Sequence, residues 1–268
     1  MARILVDSLD DARLDPFRDL KSHRLKQRSN TFVAEGVNVV RRMLRGGFSC
    51  QSILASDRCS DALEGEVPAE IPLYVVPHRL ASELVGFKFH AGILACGLRK
   101  PNPDLPMIAG SPAKPSILVA CAHIVDPENT GGIIRACAAF GAAGLLLGEG
   151  CADPFSRRVL RVSMGNACQV PIRESTRLQD DLGRLRATFG YDLIATVLDG
   201  DAEPLSRTSC PTRAVLLFGN EARGLPRDLV EGCDRRVTIP MRGTDSLNVA
   251  VAAAICLHHF TNAAGPVL

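Results

Sequence analysis

The chain has no Trp and only two Tyr in 268 residues. A surface that reads unpaired bases by stacking them on aromatic rings is therefore not indicated. Neither sign of charge is in marked excess: 31 Lys and Arg meet 29 Asp and Glu, a net charge of +2. A nucleic-acid partner would have to meet a local basic patch, because the overall field is weak. No apolar run approaches the ~18 residues that suggest a membrane span. The opening stretch, MARILVDSLDDARLD, carries charges where a secretory signal needs its apolar run. A soluble, cytoplasmic protein with no membrane partner is expected.

Metal and cofactor signatures are missing as well. Ten Cys are scattered so that no two lie closer than nine residues, and there is no CxxC pair. Neither zinc nor any other metal is expected, and a disulfide framework does not suit a chain this long. Many of these Cys sit in apolar runs, such as 117–121 and 252–256, and read as small core residues in a reducing compartment. His258 and His259 are adjacent, so on a helix they point apart and make a poor metal pair. No GxGxxG, GxSxG or HExxH occurs, which disfavours a dinucleotide fold and the common hydrolases.

What is present is 46% hydrophobic residues, enough for a sizeable core. Residues 99–115, RKPNPDLPMIAGSPAKP, hold five Pro with little periodicity and read as a linker between units 1–98 and 116–268. In the first unit, FVAEGVNVVRRMLRGG spaces Val37, Val40, Met43 and Leu44 for a helix ending near Gly46. SILAS, PLYVV and AGILACGL read as strands. The second unit repeats strand then helix: strands at 117–125, 144–150, 191–200, 214–220 and 235–241, helices at 130–142 and about 247–261. Apolar strands alternating with helices imply a parallel sheet covered on both faces. Ligands in such sheets sit at the carboxyl ends of strands. Those ends fall at 126–132, 199–200, 219–224 and 240–246.

Three of these ends carry polar residues worth a role. In DPENTGGIIRACAAFG, Asn129 lies near a helix start, where free N–H groups favour an anion, and Arg135 follows six residues on with a fork of donors suited to phosphate. Asn129 as a plain cap and Arg135 as a solvated side chain fit the spacing equally. In LLFGNEARGLP, the backbone at Gly219 and Gly224 could surround a flat ligand, and Glu221 could accept hydrogen bonds or balance an Arg. Leu225 and Pro226 stand where a P-loop needs Lys and Ser or Thr. An ordinary strand-to-helix turn is the alternative. In IPMRGTDSLNVAV, Asp245 or Ser246 is a natural N-cap. Asn248 then stands in the first turn of a helix that is apolar nearly all round and therefore buried, where an amide needs partners. Two basic stretches, RDLKSHRLKQR at 18–28 and RRVLR at 157–161, could meet phosphate or simply be solvated.

Each stretch alone is weak, but their order and spacing are specific. NTGGIIR after one strand, FGNEARGL after another and IPMRGTDSLNVAVAAAICL near the end resemble the three signature motifs of the SpoU/TrmH family, RNA ribose 2′-O-methyltransferases of the SPOUT superfamily. The resemblance spans roughly 115–262 and includes DPFSRRVLRVSMGNACQVPI. NTFVAEGVNVV and FHAGILA are similar to the family's N-terminal substrate-binding domain. The resemblance implies a C-terminal parallel sheet with a trefoil knot plus a smaller N-terminal α/β RNA-binding domain, and a homodimer with the site near its interface. It implies S-adenosylmethionine held by Gly219, Ile239 and Leu247, with Thr196, Gly224 and Met241 as neighbours. It places Asn129, Arg135, Glu221, Ser246 and Asn248 in the polar active site. Ala222 departs from a glycine common in the second motif, and the loop RGTD is one residue shorter than in some members.

The implied reaction moves a methyl from sulfonium to a ribose 2′-hydroxyl, in ribosomal RNA by analogy with the N-terminal domain. Arginine is effectively never deprotonated, so Arg135 is expected to hold a phosphate and stabilise the developing alkoxide rather than act as a base. Asn129, Ser246 and Asn248 are expected to orient the ribose, and Glu221 to fix Arg135 or Asn129. The alternatives are a transfer-RNA 2′-O-methyltransferase, a non-catalytic RNA-binding assembly factor, and an α/β enzyme for NAD or ATP.

Overall fold

A computed structural model of the chain describes residues 3–20 and 30–262. Two compact units emerge, and neither is continuous in sequence: Met1–Pro101 with Phe155–Gln169, and Asn102–Pro154 with Val170–Leu268. The division expected at 98 and 116 is thereby corrected at two places. Most of the basic stretch at 18–28 lies outside the described residues.

The first unit contains β1 (Arg3–Leu5), β2 (Thr31–Glu35), α1 (Val37–Arg45), β3 (Cys50–Ser56), β4 (Leu73–Val76), α2 (His78–Val85) and β5 (Ile93–Leu98). Its sheet has the order β1-β4-β3-β5-β2. The β1–β4 and β3–β4 pairs are parallel, whereas β5 runs antiparallel to both β2 and β3. Helix α1 buries Val39, Val40 and Met43, close to the predicted stripe.

In the second unit come α3 (Leu105–Ala109), β6 (Ser116–Cys121), α4 (Pro127–Phe140) and β7 (Gly144–Leu147). The chain then contributes α5 (Arg157–Val162) to the first unit. It returns for β8 (Ile172–Glu174), α6 (Leu178–Phe189), β9 (Asp192–Thr196), β10 (Glu203–Pro204), β11 (Arg213–Phe218), α7 (Arg227–Glu231), β12 (Arg235–Thr238) and α8 (Val249–Asn262). The seven strands run β10-β12-β9-β11-β6-β7-β8, and every pair is parallel. Consecutive residues Leu118, Val119, Ala120 and Cys121 are all fully buried, so both faces of the sheet are covered, as the apolar strands predict.

The Pro-rich stretch 99–115 is not a free linker. Asp104 caps α3 by accepting from the Met107 amide at 3.0 Å, and a proline in the first turn presets the helix. Leu105, Ile108 and Ala109 enter the second unit's core. The buried Arg213 fastens the end of α3 and the turn beyond it. Its guanidinium donates to the carbonyls of Ala109, Ser111 and Lys114 at 2.8, 2.7 and 2.8 Å and lies 4.2 Å from the centroid of the Tyr191 ring. Many prolines therefore did not mean looseness, because a distant side chain supplies the missing donors.

Segment 155–169 completes the first unit. Phe155 stands 5.1 Å from Phe32 and 5.5 Å from Phe48, centroid to centroid. Glu35, only 7% exposed, receives Arg157 at 2.9 Å and has Arg161 at 3.7 Å. A buried carboxylate needs such partners. Arg42 also donates to the Met164 carbonyl. Part of the RRVLR run is thus committed to Glu35 rather than simply solvated.

Candidate functional site

The site is built from loops at the carboxyl ends of β6, β9, β11 and β12. A cavity of about 420 Å3 is lined by residues from 196–198, 218–225, 237–241 and the start of α8. All six positions expected to hold the cofactor, Thr196, Gly219, Gly224, Ile239, Met241 and Leu247, lie on its wall, together with Glu221 and Ser246. The Thr196 hydroxyl is spent on the Leu217 carbonyl at 2.6 Å, so it stiffens the wall more than it offers a donor. Residues 199–200 do not line the cavity; Asp199 instead pairs with Arg236 at 3.1 Å.

Gly219 is where the chain must be bare. A Cβ there would stand 2.3 Å from the Gly224 carbonyl carbon and 2.3 Å from the Leu225 nitrogen. The loop folds back on its own start, closed by an Asn220–Gly224 bridge with the Gly224 amide 2.8 Å from the Asn220 carbonyl. Gly132 is a second position where the chain must be bare. A Cβ on Gly132 would fall 2.7 Å from the Ala250 Cβ, so the bare position lets α4 and α8 close on each other.

Beside the cavity three polar residues form a relay. Asn248 Nδ2 donates to Asn129 Oδ1 at 2.7 Å, and Asn129 Nδ2 donates to Glu221 Oε1. The directions are set by valence. Asn248 Oδ1 is already occupied as the cap of α8, accepting from the Ala250 and Val251 amides at 2.9 and 3.3 Å. Only its NH2 remains for Asn129, whose own NH2 must then face the acceptor-only carboxylate. Asn129 is buried at 7% exposure with both ends of its amide satisfied.

This corrects the expected cap. Helix α8 begins at Val249 rather than 247, and Asn248, not Asp245 or Ser246, caps it. Ser246 is exposed on the cavity rim, and its carbonyl accepts from Thr244 Oγ1 at 3.3 Å. Glu221 fixes Asn129. Arg135 is not in the relay: it is exposed on α4, three residues beyond Gly132, and makes no hydrogen bond or ion pair with another of the described residues. Its fork is therefore available at a helix-surface position neighbouring the α4–α8 seam.

Two contributors escaped the sequence reading. Asn220 builds the second loop, accepting from the Ala222 and Arg223 amides at 3.0 and 3.1 Å and donating to the His123 carbonyl at 3.0 Å. An Asn beside a loop glycine, with polar residues after it, is the available signal for such a turn. Cys151 pins the loop after β6: it donates to the Cys121 carbonyl and accepts from the Ile124 amide, both at 3.4 Å. Burial pushes the Cys121 thiol well up, and the neighbouring Cys151, Cys137 and Glu221 push the same way, so Cys121 remains a protonated core residue rather than a nucleophile.

A parallel α/β unit with a nucleoside-sized cavity beside a carboxylate–amide relay is the class that these loops define. The SpoU rRNA Methylase family matches residues 116–258. An uncharacterised tRNA/rRNA methyltransferase of Mycobacterium tuberculosis is 35% identical over 261 residues, covering 94% of this chain and 89% of the relative. An AdoMet-bound rRNA methyltransferase from Sinorhizobium meliloti superposes with a TM-score of 0.82 at 26% identity, covering 96% and 97% of the two chains. The SpoU methyltransferase AviRb from Streptomyces viridochromogenes, in complex with AdoMet, superposes at 0.78 with 25% identity, covering 94% and 97%. The chain belongs to the SpoU family. It is an RNA methyltransferase that uses S-adenosylmethionine.

Proposed function

We propose that the chain methylates a ribose 2′-hydroxyl of ribosomal RNA, and that the 420 Å3 cavity holds its cofactor. The observation that carries this reading is the double membership of Glu221, which lines the cavity and also anchors the relay through Asn129 to Asn248. Cofactor pocket and polar site are thus one construction. The volume lies within the ~300–1,000 Å3 of small-molecule pockets. The bare backbone at Gly219 lets the loop that lines the cavity close on itself, and the Glu221 carboxylate suits a cationic ligand.

When bound, S-adenosylmethionine supplies an electrophilic methyl on a sulfonium. This chain's residues do the rest by position. Asn129 and Glu221 hold the start of α4 and the loop after β11 in register. Asn248 ties the start of α8 to both. Ser246, on the rim, and the remaining NH of Asn248 face the ribose. Arg135 holds the target phosphate and stabilises charge growing on the 2′-oxygen. Alignment of this kind is worth ~7–11 kcal/mol in model reactions.

The remaining assignments rest on the same reading. The first unit holds the RNA. We read the C-terminal path as the family's trefoil knot. Val251 and Ile255, 48% and 39% exposed and one turn apart on α8, supply an apolar face for a second copy of the chain. Arg135→Ala is expected to lower methyl transfer about 100-fold, the order lost with one electrostatic stabiliser, and to leave S-adenosylmethionine affinity unchanged. Near-normal transfer with unchanged RNA affinity would overturn the role of Arg135.

A further inference from the structure

Asn220 lies next to Glu221 but outside the relay, and all of its described hydrogen bonds go to backbone. Its Oδ1 accepts from the Ala222 and Arg223 amides, and its carbonyl accepts from the Gly224 amide. Those three bonds shape the loop that lines the cavity. Its Nδ2 does something different, reaching out of the loop to the His123 carbonyl at 3.0 Å.

His123 is a non-glycine residue held at φ +57, a left-handed conformation that persists only where its surroundings impose it. It sits between β6 and Ile124. The Ile124 carbonyl accepts from Thr130 Oγ1 at 3.2 Å, one residue past Asn129. The loop after β11 is therefore joined twice to the β6–α4 segment, to the start of α4 through Glu221–Asn129 and to the loop before it through Asn220–His123. Two separated clasps fix an orientation where one would leave a pivot.

We propose that Asn220 is a positioning residue with two separable jobs. Its oxygen shapes the cofactor loop, and its NH2 sets that loop's register against the β6–α4 loop that leads into the helix bearing Asn129. The proposal rests on the cavity being the cofactor site. Asn220→Asp tests the division. Aspartate keeps the oxygen that receives the Ala222 and Arg223 amides, since Asp builds the same turn. It loses the donor and sets a carboxylate oxygen against the His123 carbonyl oxygen. Asn220→Ala removes both jobs.

The measurements are calorimetric affinity for S-adenosylmethionine and transfer of labelled methyl to protein-free total RNA from cells lacking the gene. Asn220→Asp should change affinity by less than about threefold. Its kcat should fall about tenfold or more through misalignment, with KM for the cofactor unchanged. Asn220→Ala should weaken cofactor binding by about tenfold or more, with the 219–226 amides exchanging faster. The proposal is overturned if Asn220→Asp transfers at the wild-type rate, or if it loses affinity and rate together as Asn220→Ala does. If Asn220→Ala does not fold, Asn220→Asp alone decides. A folded Gly219→Ala chain that binds S-adenosylmethionine as tightly as the wild type would fault the cavity reading instead, independently of Asn220.

Discussion

The two units place their decisive polar residues in opposite ways. In the second, Asn129, Glu221 and Asn248 come from three segments that follow strand ends and meet through Asn129, while Glu221 also lines the cavity and Asn248 caps α8. In the first, the buried Glu35 finds its cations on a segment that returns after the chain has built β6, α4 and β7. One unit's chemistry grows out of a rule about parallel sheets. The other's completeness depends on a segment whose own neighbours in sequence belong elsewhere. A site can thus be modular in sequence while the other unit of the same chain is not.

Substitutions that hit one unit and spare the other sharpen this contrast. The largest effect is expected from Gly219→Ala. A Cβ 2.3 Å from the facing backbone prevents the loop from closing, and overpacking of ~3 kcal/mol corresponds to about 100-fold weaker cofactor binding in a titration. The first unit should melt as before. Arg157→Ala does the reverse. It leaves the Glu35 carboxylate with Arg161 at 3.7 Å, and losing one partner of a largely buried pair costs about 3 kcal/mol in denaturant unfolding. Cofactor affinity should hold.

Gly132→Ala comes next. The clash with Ala250 pushes α4 from α8, and helix propensity returns part of the loss. A net destabilisation of about 1 kcal/mol is expected, with the relay loosened and methyl transfer reduced more than stability. The last effect is alkaline and is absent at neutral pH. Burial pushes the thiols of Cys137, Cys168 and Cys256 up to about 12 from 9.0. Raised folded values mean that the unfolded chain loses these protons first. The stability they contribute is fully present below about pH 9 and fades as the pH rises toward 12. Melting curves across that range should show the decline, and the three thiols should resist modification until the chain unfolds.

Much of the second unit was legible. Apolar strands announced the parallel sheet, and all five strands read from the pattern begin within one residue of where it puts them. The polar residues at strand ends marked the site, although the apolar helix behind Asn248 is not buried all round as expected: Asn248, Val251 and Ile255 are exposed. What stayed hidden was the partner of each. Capping pointed to Asp245 or Ser246, whereas the loop runs on to Asn248, which caps α8 and also reaches Asn129. The role of Gly132 was invisible because it is defined by Ala250. The Pro-rich 99–115 misled because Arg213 fastens it from a distant strand. The return of 155–169 to the first unit had no local signature, since Phe155 and Arg157 look alike in a solvated helix and in a clasp.

The central claim is ribose methylation of ribosomal RNA with Arg135 at the reacting oxygen. Its most direct test is nucleotide-resolution mapping of 2′-O-methyl groups in ribosomal RNA from cells with the gene, without it, and complemented with Arg135→Ala. The account predicts one 2′-O-methyl position lost on deletion, restored by the wild-type gene and not by Arg135→Ala. An unchanged ribosomal map, with the lost methyl in transfer RNA or on a base, would contradict it.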